Sequence, residues 1–100
     1  MKYNLTEKMK FDQDPVITIK DIEISVKSDA ETVLELLDVI ENKGEMAAMS
    51  QCMDLLFSPA DQKKIRKLGL KMDDFVLLVQ TATALAVGED PDGEEPEQGE

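Results

Sequence analysis

Apolar and polar side chains alternate along the segment VITIKDIEISV, which runs from Val16 to Val26. A period of two on both sides of Lys20-Asp21 is typical of two half-buried strands joined by a two-residue turn. Because a two-stranded ribbon alone is only marginally stable, its apolar face must be covered by another element. That face is predicted to consist of two opposed pairs, Ile17 with Ile24 and Ile19 with Ile22.

A helix is predicted after the hairpin, because the spacing of apolar residues changes from two to between three and four. Ser28 and Glu31 have the spacing of a capping box, and Gly44 predicts the end of the helix. We expect this helix to cover the isoleucine face of the hairpin. Its apolar stripe is Val33, Leu36, Leu37 and Ile40.

Two further helices are predicted between residues 45 and 69. The first runs from about Glu45 to Phe57 and has a methionine stripe, which contains Met46, Met49 and Met53. The second is a short basic helix, QKKIRKL, for which Ser58 is a cap, Pro59 occupies the first helical position and Gly69 provides the stop.

The last predicted helix is apolar on two sides. Asp73 or Asp74 can cap its start, and Gly88 ends it. Its second apolar strip either packs on another protein chain or is covered by neighbouring helices of the same chain. The core face consists of Phe75, Leu78, Val79, Ala82, Leu85 and Ala86, and the second strip of Val76, Ala84 and Val87.

These elements predict an α+β, mainly α fold with an N-terminal β-hairpin packed on a small bundle of three to four helices. Residues 1–88 are predicted to form a single interaction domain, and residues 89–100 a disordered acidic C-terminal tail. Of the 22 acidic side chains in the chain, seven follow Gly88, which leaves 15 against 11 basic ones in residues 1–88. The acidity therefore lies mainly in the tail, which either solubilises or tethers the domain or binds a basic partner.

The sequence provides few groups suited to catalysis. It contains no histidine, and its serines and glycines form no nucleophile elbow, P-loop or dinucleotide fingerprint. Cys52, the only cysteine, excludes an internal disulfide and is interpreted as a buried or half-buried apolar residue rather than a reactive thiol. The segment DPDG, residues 90–93, lacks the ligand spacing of a calcium loop. We therefore expect neither an enzyme nor a protein with a cofactor or metal.

Two surface patterns suggest contact with a partner protein. The first pattern is a run of basic residues between positions 63 and 71. It has no interleaved aromatic residues, so it is interpreted as a solvated helix face, or as a contact for an acidic surface, rather than a nucleic-acid site. The methionine stripe is either core or an adaptable binding surface. The basic residues are Lys63, Lys64, Arg66, Lys67 and Lys71. The candidate partner-binding residues are Val76, Ala84, Val87, Met46, Met49 and Met53.

The amino-terminal segment MKYNLTEKMKF intersperses lysines where a secretion signal needs a continuous apolar run. The sequence also contains no uninterrupted apolar run of about 18 residues, the length of a membrane span. We therefore expect a cytoplasmic protein with no membrane partner.

The order of the elements resembles that of tail assembly chaperones of long-tailed bacteriophages and their prophage relatives. The resemblance lies in a short leader, the hairpin, the capped helix SDAETVLELLDVIENKG, a second helix, the block SPADQKKIRKLGLKMDDFVLLVQTATALAVG and an acidic terminus. It covers most of residues 15–88 and implies a non-enzymatic protein of the bacterial host cytoplasm. Such proteins bind the tape measure protein and coat its aggregation-prone helices before the tail tube polymerises. The resemblance also implies self-association and contact with other tail proteins, and it transfers no catalytic residue.

Two other functions are compatible with the sequence. A small acidic regulator or inhibitor from a mobile element could act by protein blocking or nucleic-acid mimicry, for which the first helix offers Glu35, Asp38 and Glu41. A small carrier or enzyme subunit is less well supported, because the Asp-Ser-Leu attachment site of an acyl carrier is absent.

Overall fold

The alternating and helical patterns fold into one β-hairpin followed by a set of α-helices. The computed structural model describes residues 1–9, 14–44 and 46–89, and within these residues the predicted α+β, mainly α class is confirmed. The elements are a short 3-10 turn (Thr6–Lys8), β1 (Val16–Ile19), β2 (Ile22–Ser25), α1 (Ala30–Lys43), α2 (Met49–Leu56), α3 (Pro59–Leu68) and α4 (Met72–Ala86). Most of the predicted acidic tail, residues 90–100, lies outside the described residues.

The hairpin has the register that the alternation predicts. β1 and β2 pair in antiparallel fashion through the two-residue turn at Lys20 and Asp21. Lys20 adopts a φ of 56°, a left-handed conformation that turns of this length require. The four isoleucines share one face and are half-buried or buried, with Ile17 opposite Ile24 and Ile19 opposite Ile22.

The N-terminus of α1 is capped by Asp29 and not by Ser28, which corrects the predicted capping box. The Asp29 carboxylate accepts hydrogen bonds from the Thr32 amide at 3.2 Å and from the Thr32 hydroxyl at 2.8 Å. The Ser28 hydroxyl instead donates to Asp14 at 3.0 Å, so it is not directed at the helix. Gly44 ends α1 as predicted, and its amide donates to the Ile40 carbonyl at 2.7 Å.

The boundaries of the next two helices differ in how well the sequence predicts them. α2 begins only at Met49, because residues 46–48 form a turn instead of the predicted first helical turn. α3 matches the prediction. The Ser58 hydroxyl accepts from the Asp61 amide at 3.2 Å, Pro59 is the first helical residue, and Gly69 ends the helix in the left-handed region with φ 62°.

α4 begins earlier than the sequence predicts. Its N-cap is Lys71, which makes no side-chain capping bond, and Asp73 and Asp74 lie inside the first turn instead of capping it. Carboxylates in this turn still interact favourably with the positive end of the helix dipole. The helix ends at Ala86, and Gly88 follows with a φ of 89°.

The core is centred on α2, which contacts α1, α3 and α4. Phe57, directly after α2, is the largest fully buried side chain, and Cys52 is buried as predicted. Leu37, which the sequence places on the core stripe of α1, is 46% exposed and lies outside the core. The buried apolar residues are Ile24, Val26, Leu36, Ala48, Met49, Cys52, Leu56, Phe57, Ile65, Leu78, Val79, Ala82 and Ala86.

The hairpin docks differently from the expectation that α1 covers it. α1 packs mainly on α2, whereas α3 packs on β2. Lys64 of α3 donates to the Glu23 carbonyl at 3.0 Å, and the Lys27 amide donates to the Leu56 carbonyl at 2.8 Å. These polar contacts lie along β2 and the residues that follow it, and part of the isoleucine face of the hairpin is directed toward α4.

Among the described residues, none of the helices combines the length and the apolar character of a membrane-spanning segment.

Candidate functional site

An apolar cleft lies between the hairpin and α4. Its volume is about 250 Å³, and most of the side chains around it are aliphatic. β1 provides one wall, α4 provides the other, and the connection between α3 and α4 provides one residue. The lining residues are Ile17, Ile19, Leu70, Asp74, Leu77, Leu78 and Thr81.

The periodicities of the two walls bring these side chains together. Ile17 and Ile19 are two residues apart on a strand, so both point to the same face. On α4 the lining positions fall at i, i+3, i+4 and i+7, which is one face of a helix. Leu78 is buried at the base of the cleft, whereas Leu77 is 61% exposed. The cleft is therefore open to solvent and has an apolar rim.

Two polar side chains interrupt the apolar lining. Asp74 and Thr81 lie seven residues apart on α4, a separation of about 10 Å along the helix axis. Of the residues that the structure describes, Asp74 is the only charged one that lines this cleft. The cleft thus has an aliphatic middle, a carboxylate toward one end and a hydroxyl toward the other.

A second apolar depression of about 270 Å³ shares Leu70 with the first. Its charged residue is Arg66, and its other lining residues are Met53, Ile65, Gly69 and Phe75. The left-handed turn at Gly69 brings Leu70 between α3 and α4, so this one leucine contributes to both depressions. The two depressions therefore meet at a single side chain and differ in the sign of their charge.

The six residues predicted to contact a partner occupy different environments. Met46 is 63% exposed, and Met53 lines the second depression. Met49 is only 7% exposed and belongs to the core, which was the other interpretation of the methionine stripe. Val76, Ala84 and Val87 are half-buried, and Val76 packs on the core. None of the six lines the cleft between the hairpin and α4.

The principal residue of the cleft that the sequence analysis missed is Leu77. Leu77 and Leu78 are adjacent, and the helical period rotates successive side chains by about 100°, so only one of them can point to the centre of the core. The sequence assigned Leu78 correctly to the core but left Leu77 without a role. The unassigned leucine, together with the apolar face of β1, is the signal that could have located the cleft.

Reactive groups are not concentrated in this cleft. Within residues 1–9, 14–44 and 46–89, no three histidine, cysteine, aspartate or glutamate side chains gather in a group that could hold a metal ion. Comparison with protein-family models, with curated proteins and with solved structures gives no match. The candidate site is the apolar cleft between the hairpin and α4.

Proposed function

We propose that this protein is a non-enzymatic tail assembly chaperone of a long-tailed bacteriophage or prophage. In this proposal it binds the tape measure protein in the host cytoplasm and keeps it soluble before the tail tube polymerises. The family resemblance of residues 15–88 suggests the role. The structural observation that supports it is the open apolar cleft, in which Leu77 is exposed beside Ile17 and Ile19.

The cleft suits the chemistry that such a chaperone needs. Aggregation-prone helices expose apolar side chains, and a groove of aliphatic residues can take up such side chains without requiring a particular sequence. Leu77 and the half-buried isoleucines of β1 lose water contact when a helix covers them, which favours binding. The proposal includes self-association and contacts with other tail proteins, both of which come from the resemblance alone.

Co-expression with the candidate tape measure protein tests the proposal. We expect the tape measure protein to move to the soluble fraction and to be retained with this protein in a pull-down. Leu77→Ser should reduce both effects, because it removes an apolar side chain from the cleft rim. Leu34→Ser is the matched control, since Leu34 is 68% exposed on α1 and does not line the cleft. A tape measure protein that stays insoluble and unbound beside the wild-type chain would rule out the role.

One observation favours a second function, that of an acidic regulator or inhibitor. The acidic residues of α1 named in the sequence analysis are exposed, together with Glu31, so α1 presents a carboxylate-bearing face to solvent. Such a face could block a basic protein surface or mimic nucleic acid. Replacing Glu35 and Asp38 with lysine would abolish an inhibitory activity of this kind and would leave solubilisation of a tape measure protein unchanged.

A further inference from the structure

We infer that the cleft between the hairpin and α4 recognises an amphipathic helix that carries a lysine or arginine beside its apolar ridge. The cation of that helix pairs with Asp74, and its apolar side chains pack on Leu77, Ile17 and Ile19. This inference rests on the proposed function in that the cleft binds protein, and it adds the chemistry of the bound segment.

The shape of the cleft favours a helix over a small molecule. Its volume of about 250 Å³ is below the roughly 300–1,000 Å³ typical of small-molecule pockets. Its α4 wall extends from Asp74 to Thr81, about 10 Å, which is two helical turns. A helix lying along this wall presents side chains at i, i+4 and i+7, the spacing by which amphipathic helices fill grooves.

The charge of the cleft determines which helices fit. Among the described residues, Asp74 is the only charged one that lines the cleft, and it is exposed at the end of the aliphatic lining. A partner cation next to the apolar ridge would gain an ion pair as water leaves the groove, whereas a partner carboxylate would be repelled. The cleft therefore discriminates between helices that have equally apolar ridges and opposite flanking charges.

A helix from a second copy of the chain is a poorer match. α1 has exposed Leu34 and Leu37, but the charged residues beside them are acidic, so they would meet Asp74 as like charges. α3 has an exposed basic side but, among its described residues, no exposed large apolar side chain. Neither helix combines the ridge and the cation that the cleft selects, and α4 of a second copy would bring Asp73 and Asp74 beside its exposed Leu77.

The amino-terminal residues of the same chain do combine apolar and basic side chains. Tyr3, Leu5 and Met9 are exposed, and Lys2 and Lys8 lie among them. This segment is covalently linked to β1, yet none of its residues lines the cleft. In this structure the described residues of the segment leave the cleft open, and the proposed occupant is a helix of another protein.

Titration of the full chain with synthetic helical peptides tests this inference. The probe is an alanine- and glutamine-based helix of about five turns, with leucines at i, i+4, i+7 and i+11 and one lysine beside them. A second peptide has glutamate in place of the lysine. By fluorescence anisotropy, the lysine peptide should bind about threefold to tenfold more tightly than the glutamate peptide. Asp74→Lys should reverse the order.

Matched variants locate the binding surface. Asp73→Lys changes the charge on the same turn of α4, but Asp73 does not line the cleft, so the lysine peptide should remain the preferred one. Leu77→Ser should weaken both peptides about fivefold or more, whereas Leu34→Ser should leave them unchanged. In ¹H–¹⁵N spectra, added peptide should shift the amide resonances of Ile19 and Thr81.

Several outcomes would overturn the inference. These are absent binding of both peptides, equal binding of both by the wild-type chain, an unchanged order in Asp74→Lys, or equal losses in Leu77→Ser and Leu34→Ser. If the Thr81 amide resonance shifts when residues 1–9 are removed and does not shift when peptide is added, then the chain's own amino terminus fills the cleft. If it shifts on dilution and not when peptide is added, then a second copy fills the cleft. Solubilisation of the tape measure protein without a charge preference would retain the proposed function and remove this inference. A charge preference in peptide binding without solubilisation of the tape measure protein would retain this inference and remove the proposed function.

Discussion

The backbone amide of Ser25 donates a hydrogen bond to the carboxylate of Asp61 across 3.2 Å, which joins β2 to the first turn of α3. This amide lies on the edge of β2 that faces away from β1, as does the Glu23 carbonyl that accepts from Lys64. Asp61 and Lys64 also form an ion pair at 3.3 Å. Two side chains of one helix thus satisfy backbone groups of an edge strand, the groups that otherwise invite pairing with another chain.

Asp61→Ala should lower the free energy of unfolding by about 1–2 kcal/mol, because it removes the acceptor of the Ser25 amide and the partner of Lys64. Urea denaturation measures the change. Asp54→Ala is the matched control, since Asp54 is an exposed carboxylate on α2. Equal losses in the two variants would show that the contact between α3 and β2 contributes no stability.

Asp29→Ala should make stability less dependent on pH in the acidic range. The hydrogen bonds from the Thr32 hydroxyl and amide hold the pKa of Asp29 below its ordinary value. The stabilisation they provide is therefore complete above the pKa of the unfolded chain and is lost as pH falls through the folded-state pKa. The difference in unfolding free energy between wild type and Asp29→Ala should shrink over that interval. In Ser28→Ala the unfolding free energy should depend on pH as in the wild type. If that dependence is lost in Ser28→Ala, then Ser28 is the cap.

Lys20→Gly should stabilise the hairpin by about 0.5–1 kcal/mol. Lys20 has a φ of 56°, a conformation that costs energy for side chains with a Cβ atom and little for glycine. Asp21→Gly is the matched control, because Asp21 does not have a positive φ and glycine there adds only freedom to the unfolded chain. Thermal unfolding should therefore shift upward in the first variant and downward in the second. A downward shift in both would contradict the strain at Lys20.

Gln62→Glu should destabilise the fold by roughly 1–3 kcal/mol at neutral pH. Gln62 is a buried polar residue whose amide nitrogen donates to the Phe57 carbonyl at 3.0 Å, and a carboxylate cannot donate there. Burial and the facing oxygen should raise the pKa of the introduced group, so the loss should diminish as pH falls and the group is protonated. Chemical denaturation at several pH values measures this dependence.

The control for the buried site is Gln51→Glu. Gln51 is exposed and accepts a hydrogen bond from the Lys43 ammonium group, so a carboxylate there should be neutral or slightly stabilising. A loss of stability in Gln62→Glu that is independent of pH would mean that the introduced group has the same pKa in the folded and the unfolded protein, which would contradict the expected effect of burial.

The sequence correctly predicts those parts of the fold that depend on local pattern. The register of the hairpin follows from the two-residue period around Lys20, and the limits of α3 follow from Ser58, Pro59 and Gly69. The cap of α1 does not follow from local pattern, because Ser28 and Asp29 are adjacent and both can accept a hydrogen bond from a helix amide. In the structure Ser28 donates to Asp14, fourteen residues away, and Asp29 is the cap.

The cleft depends on long-range packing and could not be read from periodicity. α1 has a suitable apolar stripe for covering the isoleucine face, but in the structure α3 packs on β2, and Asp61 and Lys64 make polar contacts with its edge. Ile17 and Ile19 consequently face α4, and Leu77 lies at the rim between them and solvent. The sequence predicts that an apolar surface exists and identifies several of its candidates, whereas the docking of the hairpin decides which residues form it.

The two walls of the cleft are distant in the chain, since one includes Ile17 and the other ends at Thr81. A nascent polypeptide that has emerged from the ribosome only as far as α3 has one wall of the cleft and not the other. Under the proposed function, binding of a partner helix would therefore require α4 to have been translated, and a product truncated before α4 would not bind even if its hairpin and first helices folded.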